Sequence, residues 1–405
     1  MAAPLRLALL AIACVALSHT AWSQQLLSRS VDVNGVNRDY LVYLPAGYDG
    51  QTELPVMLVY HGGSMDPLSM LQYVDMRPLA DQEGFIPVYP AGLPDGAGDR
   101  VWDTATGPFA NGVDEIGFTS AMIDALDQEF AADLDRVYAC GYSNGANLAW
   151  ELAALLSDRI CAIGPVAGGM WTWIEPVANP TRPVPVISIH GTWDFYNPWG
   201  GDQYSLGFIA ASEFWATNNQ ATPVPTVVDL PDINQNDFST VQRYRWADGD
   251  QSVHVEHYKV IRGGHDWPGL GGGAKGGNQD INATELIWEF CSQYSLSGRI
   301  NPRLELDVQG PVIAGSSVDV SLAYATPSSP AYLAYSLGLG TTLVPPLGVA
   351  LNLANATALG APVQTSATGT ASWTLSVPPS ASGVTAFVQA CQAGKDSNVV
   401  LVQVQ

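Results

Sequence analysis

Basic residues are scarce in this chain. Lysine occurs only as Lys259, Lys275 and Lys395, and the formal net charge over 405 residues is −22. A surface of that sign repels phosphate backbones and anionic lipid, so nucleic acid and membrane surfaces are not expected as partners. Cysteine is also sparse. Cys14 lies in the N-terminal leader, which leaves Cys140, Cys161, Cys291 and Cys391. None of these forms a C-x-x-C pair, which argues against a zinc cluster, and no metal is expected. In an exported chain the four allow several disulfide pairings, and Cys140, inside an apolar strand, reads as a small core filler. Long apolar runs are missing too. Past the N-terminus no stretch reaches the roughly 18 residues that a membrane span needs.

The first residues, MAAPLRLALLAIACVALSHTAWSQQ, have a basic Arg6, a short apolar core and the small residues Ala21 and Ser23. This is the pattern of a secretory signal, residues 1–23, cleaved near Ser23. Cys14 after Ala11-Ile12-Ala13 is a weaker lipoprotein-like feature.

Two grammars follow. From 24 to 297, apolar strand-like segments ("LPVMLVYHGG", "IPVYPAG", "VPVISIHG") alternate with amphipathic ones ("GFTSAMIDALDQEF"). Such alternation implies a mostly parallel sheet with helices on both faces. The last helix is marked by an Asn282 cap, Glu285 in a capping box and an Ile281–Leu286 staple. From 298 to 405 the segments are short, alternating and separated by Gly, Pro and Ser. That pattern predicts an all-β, immunoglobulin-like sandwich. Beyond Leu306 only Asp307, Asp319, Lys395 and Asp396 are charged. This surface suits either a spacer or contact with a polymer or envelope.

In an α/β sheet, reactive groups gather at the carboxyl ends of strands. Four such ends carry chemistry here. "YHGGSMDP" offers glycine backbone N–H groups of the kind an oxyanion site uses. "GYSNG" places Ser143 between Gly141 and Gly145 at a strand-to-helix corner, as in a nucleophile elbow. "ISIHGTWDFYNPWGG" brings Asp194, and "IRGGHDWPG" brings His265. A serine hydroxyl needs an imidazole to take its proton and a carboxylate to orient that imidazole, and the chain order Ser143, Asp194, His265 fits that use. The competing readings are plain. G-x-S-x-G also occurs in ordinary βα turns, and Asp202, Asp229, Asp232 and Asp237 are alternative acids. His190 reads as a turn support, while His254 and His257 read as solvent-facing strand residues. "DINQND" opens like a calcium loop but lacks the later glycine and glutamate. "GLGGGAKGG" reads as a loop at the rim beside His265.

Taken together, "HGG", "ADQEGFIPVYPAGL", "DEIGF", "GYSNGANLAWELA", "SDRICAIGPVAGGM", "HGTWD…NPWGG" and "GGHDWPG" resemble the secreted esterases of carbohydrate esterase family one. That group includes polyhydroxybutyrate depolymerases, feruloyl esterases and acetyl xylan esterases. The resemblance implies an α/β-hydrolase fold and ester hydrolysis without a cofactor. It implies a Ser143–His265–Asp194 triad and an oxyanion hole from the backbone N–H groups of Gly63 and Asn144. The substrate would be a polyhydroxyalkanoate-type polyester, an insoluble polymer, or a feruloyl or acetyl ester of plant polysaccharide. Trp193, Trp199 and Trp267 either contact that substrate or wall in the triad. Trp193 and Asp266 depart from the family pattern without removing a catalytic group. A peptidase of the same fold is one alternative reading, and a binding or anchoring protein centred on the C-terminal region is another.

Overall fold

The computed structural model describes residues 24–103, 112–270, 277–300 and 302–405. The expected secretory signal, residues 1–23, and most of "GLGGGAKGG" lie outside the described residues.

The sheet of the first region has ten strands: β1 (Gln25–Val33), β2 (Val36–Leu44), β3 (Leu54–Tyr60), β4 (Ile86–Pro90), β5 (Ala132–Tyr142), β6 (Ala162–Val166), β7 (Val186–Gly191), β8 (Thr226–Asp229), β9 (Thr240–Trp246) and β10 (Val255–Ile261). Their order in space is β1-β2-β4-β3-β5-β6-β7-β10-β9-β8. The strands from β4 through β10 in that order run parallel, flanked by antiparallel strands at both edges. This is the α/β-hydrolase sheet, mostly parallel as the alternating segments predict.

Period-two alternation divides the core. Val56, Leu58, Tyr60, Val137 and Ala139 point to one face, while Met57, Val59, Tyr138 and Cys140 point to the other. The first face is covered by α3 (Glu115–Glu129), α4 (Asn144–Leu155) and α5 (Phe208–Asn218). The second is covered by α1 (Pro67–Tyr73), α2 (Arg77–Glu83) and α6 (Ala283–Cys291). Asn282 caps α6, its Oδ1 accepting from the N–H groups of Thr284 and Glu285. Cys140, Cys161, Cys291 and Cys391 are all buried free thiols. Their burial raises each thiol's pKa, that of Cys391 to about 11, so they are protonated and act as apolar filler.

Past 304 the chain is all-β. The strands Glu305–Gln309, Ser317–Ala323 and Ala371–Ser376 form one sheet, and another is built on Pro330–Ser336 and Thr385–Gln392. Leu306, Val320, Leu322, Leu333, Trp373 and Val388 from the two sheets share one core. The hairpin Leu339–Val344/Val349–Leu353 was not anticipated, because Pro345-Pro346 masks its turn.

The β region is fastened to the α/β region by partly buried charge. Both Arg245 Nη atoms donate to Glu305, at 2.6 and 2.7 Å, and Arg299 donates to the same carboxylate at 3.1 Å. Arg303 pairs with Glu289 of α6 and lies 3.5 Å from Asp396. His254, expected to face solvent, is buried here. Its Nε2 takes N–H donors from both Arg245 and Arg299, at 2.7 and 2.6 Å, so the ring is neutral. Removing one partner of such a group leaves the other charge uncompensated. Glu305→Ala is therefore expected to cost about 2 kcal/mol, discounted for partial exposure of the pair, and to lower the unfolding midpoint. Deletion after Ser297 removes Arg299, Arg303 and Glu305 together and is expected to destabilise the α/β region further. An unchanged melting curve for either variant would show the junction to be energetically idle.

Candidate active site

The elbow is built by steric exclusion. A Cβ on Gly141 would lie 2.3 Å from the Gly145 carbonyl oxygen, and one on Gly145 would lie 2.3 Å from the Tyr60 carbonyl oxygen. With glycine at both positions, β5 turns into α4 in a single step, and Ser143 takes the corner at φ 53°, ψ −116°. That conformation is strained for a residue with a side chain, at roughly 1–3 kcal/mol. It is held by Ser143 N–H donating to the Val166 carbonyl and by the Ser143 carbonyl accepting from Ala146 and Asn147.

Three loops meet at Ser143. His265 Nε2 is 2.9 Å from Ser143 Oγ, and His265 Nδ1 is 2.7 Å from Asp194 Oδ2. The other Asp194 oxygen, Oδ1, accepts from the backbone N–H groups of Tyr196 and Asn197. The Asp194 and His265 loops lie so close that a Cβ on Gly191 would strike the carbonyls of Gly263 and Gly264. They are joined by Trp193 N–H to the Gly263 carbonyl, and by Arg262 N–H to Thr192 Oγ1. From the other side, the Tyr142 hydroxyl donates to the His265 carbonyl at 2.7 Å.

Gly63 lies opposite Asn144, where a Cβ on the glycine would sit 3.9 Å from Asn144 Cβ. Among the described residues, neither the Gly63 N–H nor the Asn144 N–H is taken up by a protein acceptor. His61 shapes this strand end in a way the sequence did not reveal. Its Nδ1–H donates to the Gly62 carbonyl at 2.7 Å, and its Nε2 accepts from Gly92 N–H at 2.9 Å. A trans peptide points its N–H opposite its carbonyl, so gripping the Gly62 carbonyl sets the direction of Gly63 N–H. The Asn144 amide pairs with the Trp102 backbone in both directions, and Trp102 Nε1–H donates to the His61 carbonyl. No local pattern marks these partners, because Trp102 is far from Asn144 in sequence.

The three tryptophans separate. Trp193 is 59% exposed and shares its loop with Phe195 at 94% and Tyr196 at 81%. The Tyr196 ring is 5.0 Å from the His265 ring. Trp199 is half-buried between His257 and the Lys259 ammonium. Trp267, a candidate for substrate contact in the sequence, is 1% exposed and donates from Nε1 to Thr284 Oγ1. It belongs to the core, because α6 closes over it. Asp237 of the calcium-like stretch accepts the Ser239 N–H, Asp280 from outside it accepts the N–H groups of Ile233 and Asn234, and no metal-holding cluster occurs among the described residues.

His257, expected at the surface, is also buried. Burial pushes His61 and His190 down to about 4 and His257 to about 3, and it pushes His254 down as well, with the two flanking arginines adding to the effect. Unfolded histidine titrates near 6.5. As pH falls from about 6.5 toward 4 the unfolded chain binds protons that the folded chain refuses, so stability falls with pH in that window. Buried Glu115 and the partly buried Glu289 and Asp396 have pKa values raised by desolvation and act in the opposite sense. With four histidines set against them, the melting midpoint is expected to be lower at pH 5 than at pH 7. Equal midpoints would refute the expectation.

Residues 38–174 match the family described as esterase PHB depolymerase. Among curated proteins, a bifunctional acetylxylan esterase/xylanase of Neocallimastix patriciarum is 27% identical over 66% of this chain, and the chain spans only 35% of that protein's length. A probable feruloyl esterase C of Aspergillus niger is 23% identical over 70% of this chain and 95% of its own. The chain is similar to polyhydroxybutyrate depolymerases and feruloyl esterases over its α/β region. As an enzyme it is a carboxylic ester hydrolase. Among solved structures, the acetyl xylan esterase from Aspergillus awamori covers 59% of this esterase and 94% of its own chain, with 16% identity and a TM-score of 0.45. No helix among the described residues of the esterase is long and apolar enough to cross a membrane.

Proposed function

We propose that the esterase is a secreted serine hydrolase in which Ser143, His265 and Asp194 form the triad. The reading rests on the unbroken line of hydrogen-bond distances from Ser143 Oγ through the His265 ring to Asp194. His265 takes the Ser143 proton as Oγ attacks the ester carbonyl, and Asp194 stabilises the resulting imidazolium. The backbone N–H groups of Gly63 and Asn144 receive the oxyanion; losing one such donor costs about a hundred- to a thousandfold in rate. His265 then protonates the leaving alcohol, and water repeats the cycle on the acyl-enzyme.

The working units in this proposal are residues 24–297, the esterase domain, and 298–405, an immunoglobulin-like accessory domain. Export through residues 1–23 accompanies it. The exposed Trp193, Phe195 and Tyr196 favour a substrate that presents apolar or aromatic area beside the ester, with Tyr196 next to His265. A feruloyl ester and a polyhydroxyalkanoate chain both do so; an acetylated polysaccharide presents less. Rates on methyl ferulate, polyhydroxybutyrate film and acetylated xylan, each with a Ser143→Ala control, test the reading. A preference for acetylated xylan that persists when Trp193 and Phe195 are both replaced by alanine would overturn the role given to the aromatic rim.

A further inference from the structure

One buried group beside Asp194 has no part in the scheme above. His190 lies at the end of β7, its side chain shielded from solvent, and its ring is stacked on Phe208 with centroids 3.4 Å apart and planes 15° from parallel. Its Nε2 is 2.8 Å from the Asn197 carbonyl oxygen and 3.5 Å from Asp194 Oδ2. A carbonyl only accepts, so Nε2 carries the proton, and this one N–H faces both oxygens. The Asn197 carbonyl belongs to the turn whose N–H groups hold Asp194 Oδ1, and Oδ2 is the oxygen that receives His265 Nδ1–H. The next residue, Gly191, has no side chain and admits none. His190 is therefore the last side chain on this strand able to reach beneath the Asp194 turn.

We propose that His190 is a positioning residue for the triad. Its Nε2–H donor holds the Asp194 carboxylate, directly and through the Asn197 carbonyl, in the orientation that receives His265. The neutral ring is the form that suits this task. A second proton would place a positive charge beside Asp194 in competition with the His265 imidazolium that forms during turnover. Burial keeps the ring neutral at ordinary working pH. The stacking on Phe208 fixes the ring plane and so the direction of the N–H.

The inference rests on Asp194 being the triad carboxylate, and two substitutions separate its parts. His190→Phe keeps a ring to stack on Phe208 but has no donor. His190→Gln places an amide N–H near the position of Nε2 but has no ring. Full-length variants are compared on a p-nitrophenyl ester, with kcat and KM measured separately and the melting midpoint recorded. The Phe variant is expected to lose roughly 10- to 100-fold in kcat with KM nearly unchanged, and the Gln variant to recover most of that loss. Wild-type kcat in the Phe variant, or equal loss in both variants, would overturn the proposal. If the Phe variant fails to fold, the Gln variant decides: near-wild-type kcat supports the role of the donor, and a deep loss in a folded protein overturns it. An Asp194→Asn enzyme of full activity would instead overturn the underlying triad reading.

Discussion

Ser143→Ala is expected to lower kcat by roughly a millionfold, the scale seen when a triad nucleophile is removed. The folded protein should be unaffected. Alanine takes the same corner at φ 53° with a Cβ in the same place, and the backbone bonds that hold the corner do not involve Oγ. His265 loses a contact at its exposed end but keeps Asp194 and the Tyr142 clamp. The decisive comparison is turnover of a p-nitrophenyl ester by wild type and variant with matched melting curves, together with fluorophosphonate labelling. Labelling that persists in the variant, or activity within tenfold of wild type, would remove Ser143 from the mechanism.

Asp194→Asn is expected to cost about 10⁴-fold in kcat while leaving the fold intact, and the hydrogen bonds explain why. The Tyr196 and Asn197 N–H groups require an acceptor at Oδ1. The asparagine amide oxygen must fill that position, which turns the NH₂ group toward His265 Nδ1. His265 then accepts at Nδ1 and carries its proton on Nε2, the nitrogen facing Ser143. A protonated Nε2 cannot take the serine proton. KM for a small ester should change little, because Asp194 is buried and lies behind the imidazole. A variant that retains a tenth of wild-type kcat would show that another group orients His265.

The elbow and the His265 loop were legible in the sequence because both depend on glycines, and a missing Cβ is visible in the letters. Gly141, Gly145 and Gly191 each stand where another backbone comes too close for a side chain, and a Cβ on Gly263 would strike the Val260 side chain. The sheet was legible for a related reason: strands covered on both faces read as continuous apolar runs. What the letters did not show was pairing across distance. His254, just before β10, and His257, on it, read as solvent-facing in a polar, alternating stretch, yet arginines from two other segments cover one and Ser188 with Trp199 covers the other. Trp267 sits in a loop rich in glycine and polar residues, and only the packing of α6 shows that it is core. The Trp102–Asn144 pairing and the His61 grip on Gly62 are set by tertiary approach, and no local spacing encodes them.

The Arg245–Glu305 fastening sits at the end of β10 opposite His265, so the seven-residue strand separates the two by about 20 Å. The sandwich therefore occupies the pole of the sheet opposite the nucleophile. Anything that immobilises the C-terminal region holds the esterase by its base, with the aromatic rim facing outward. In that posture the catalytic end points away from the point of attachment, and the rest of the molecule stands behind it.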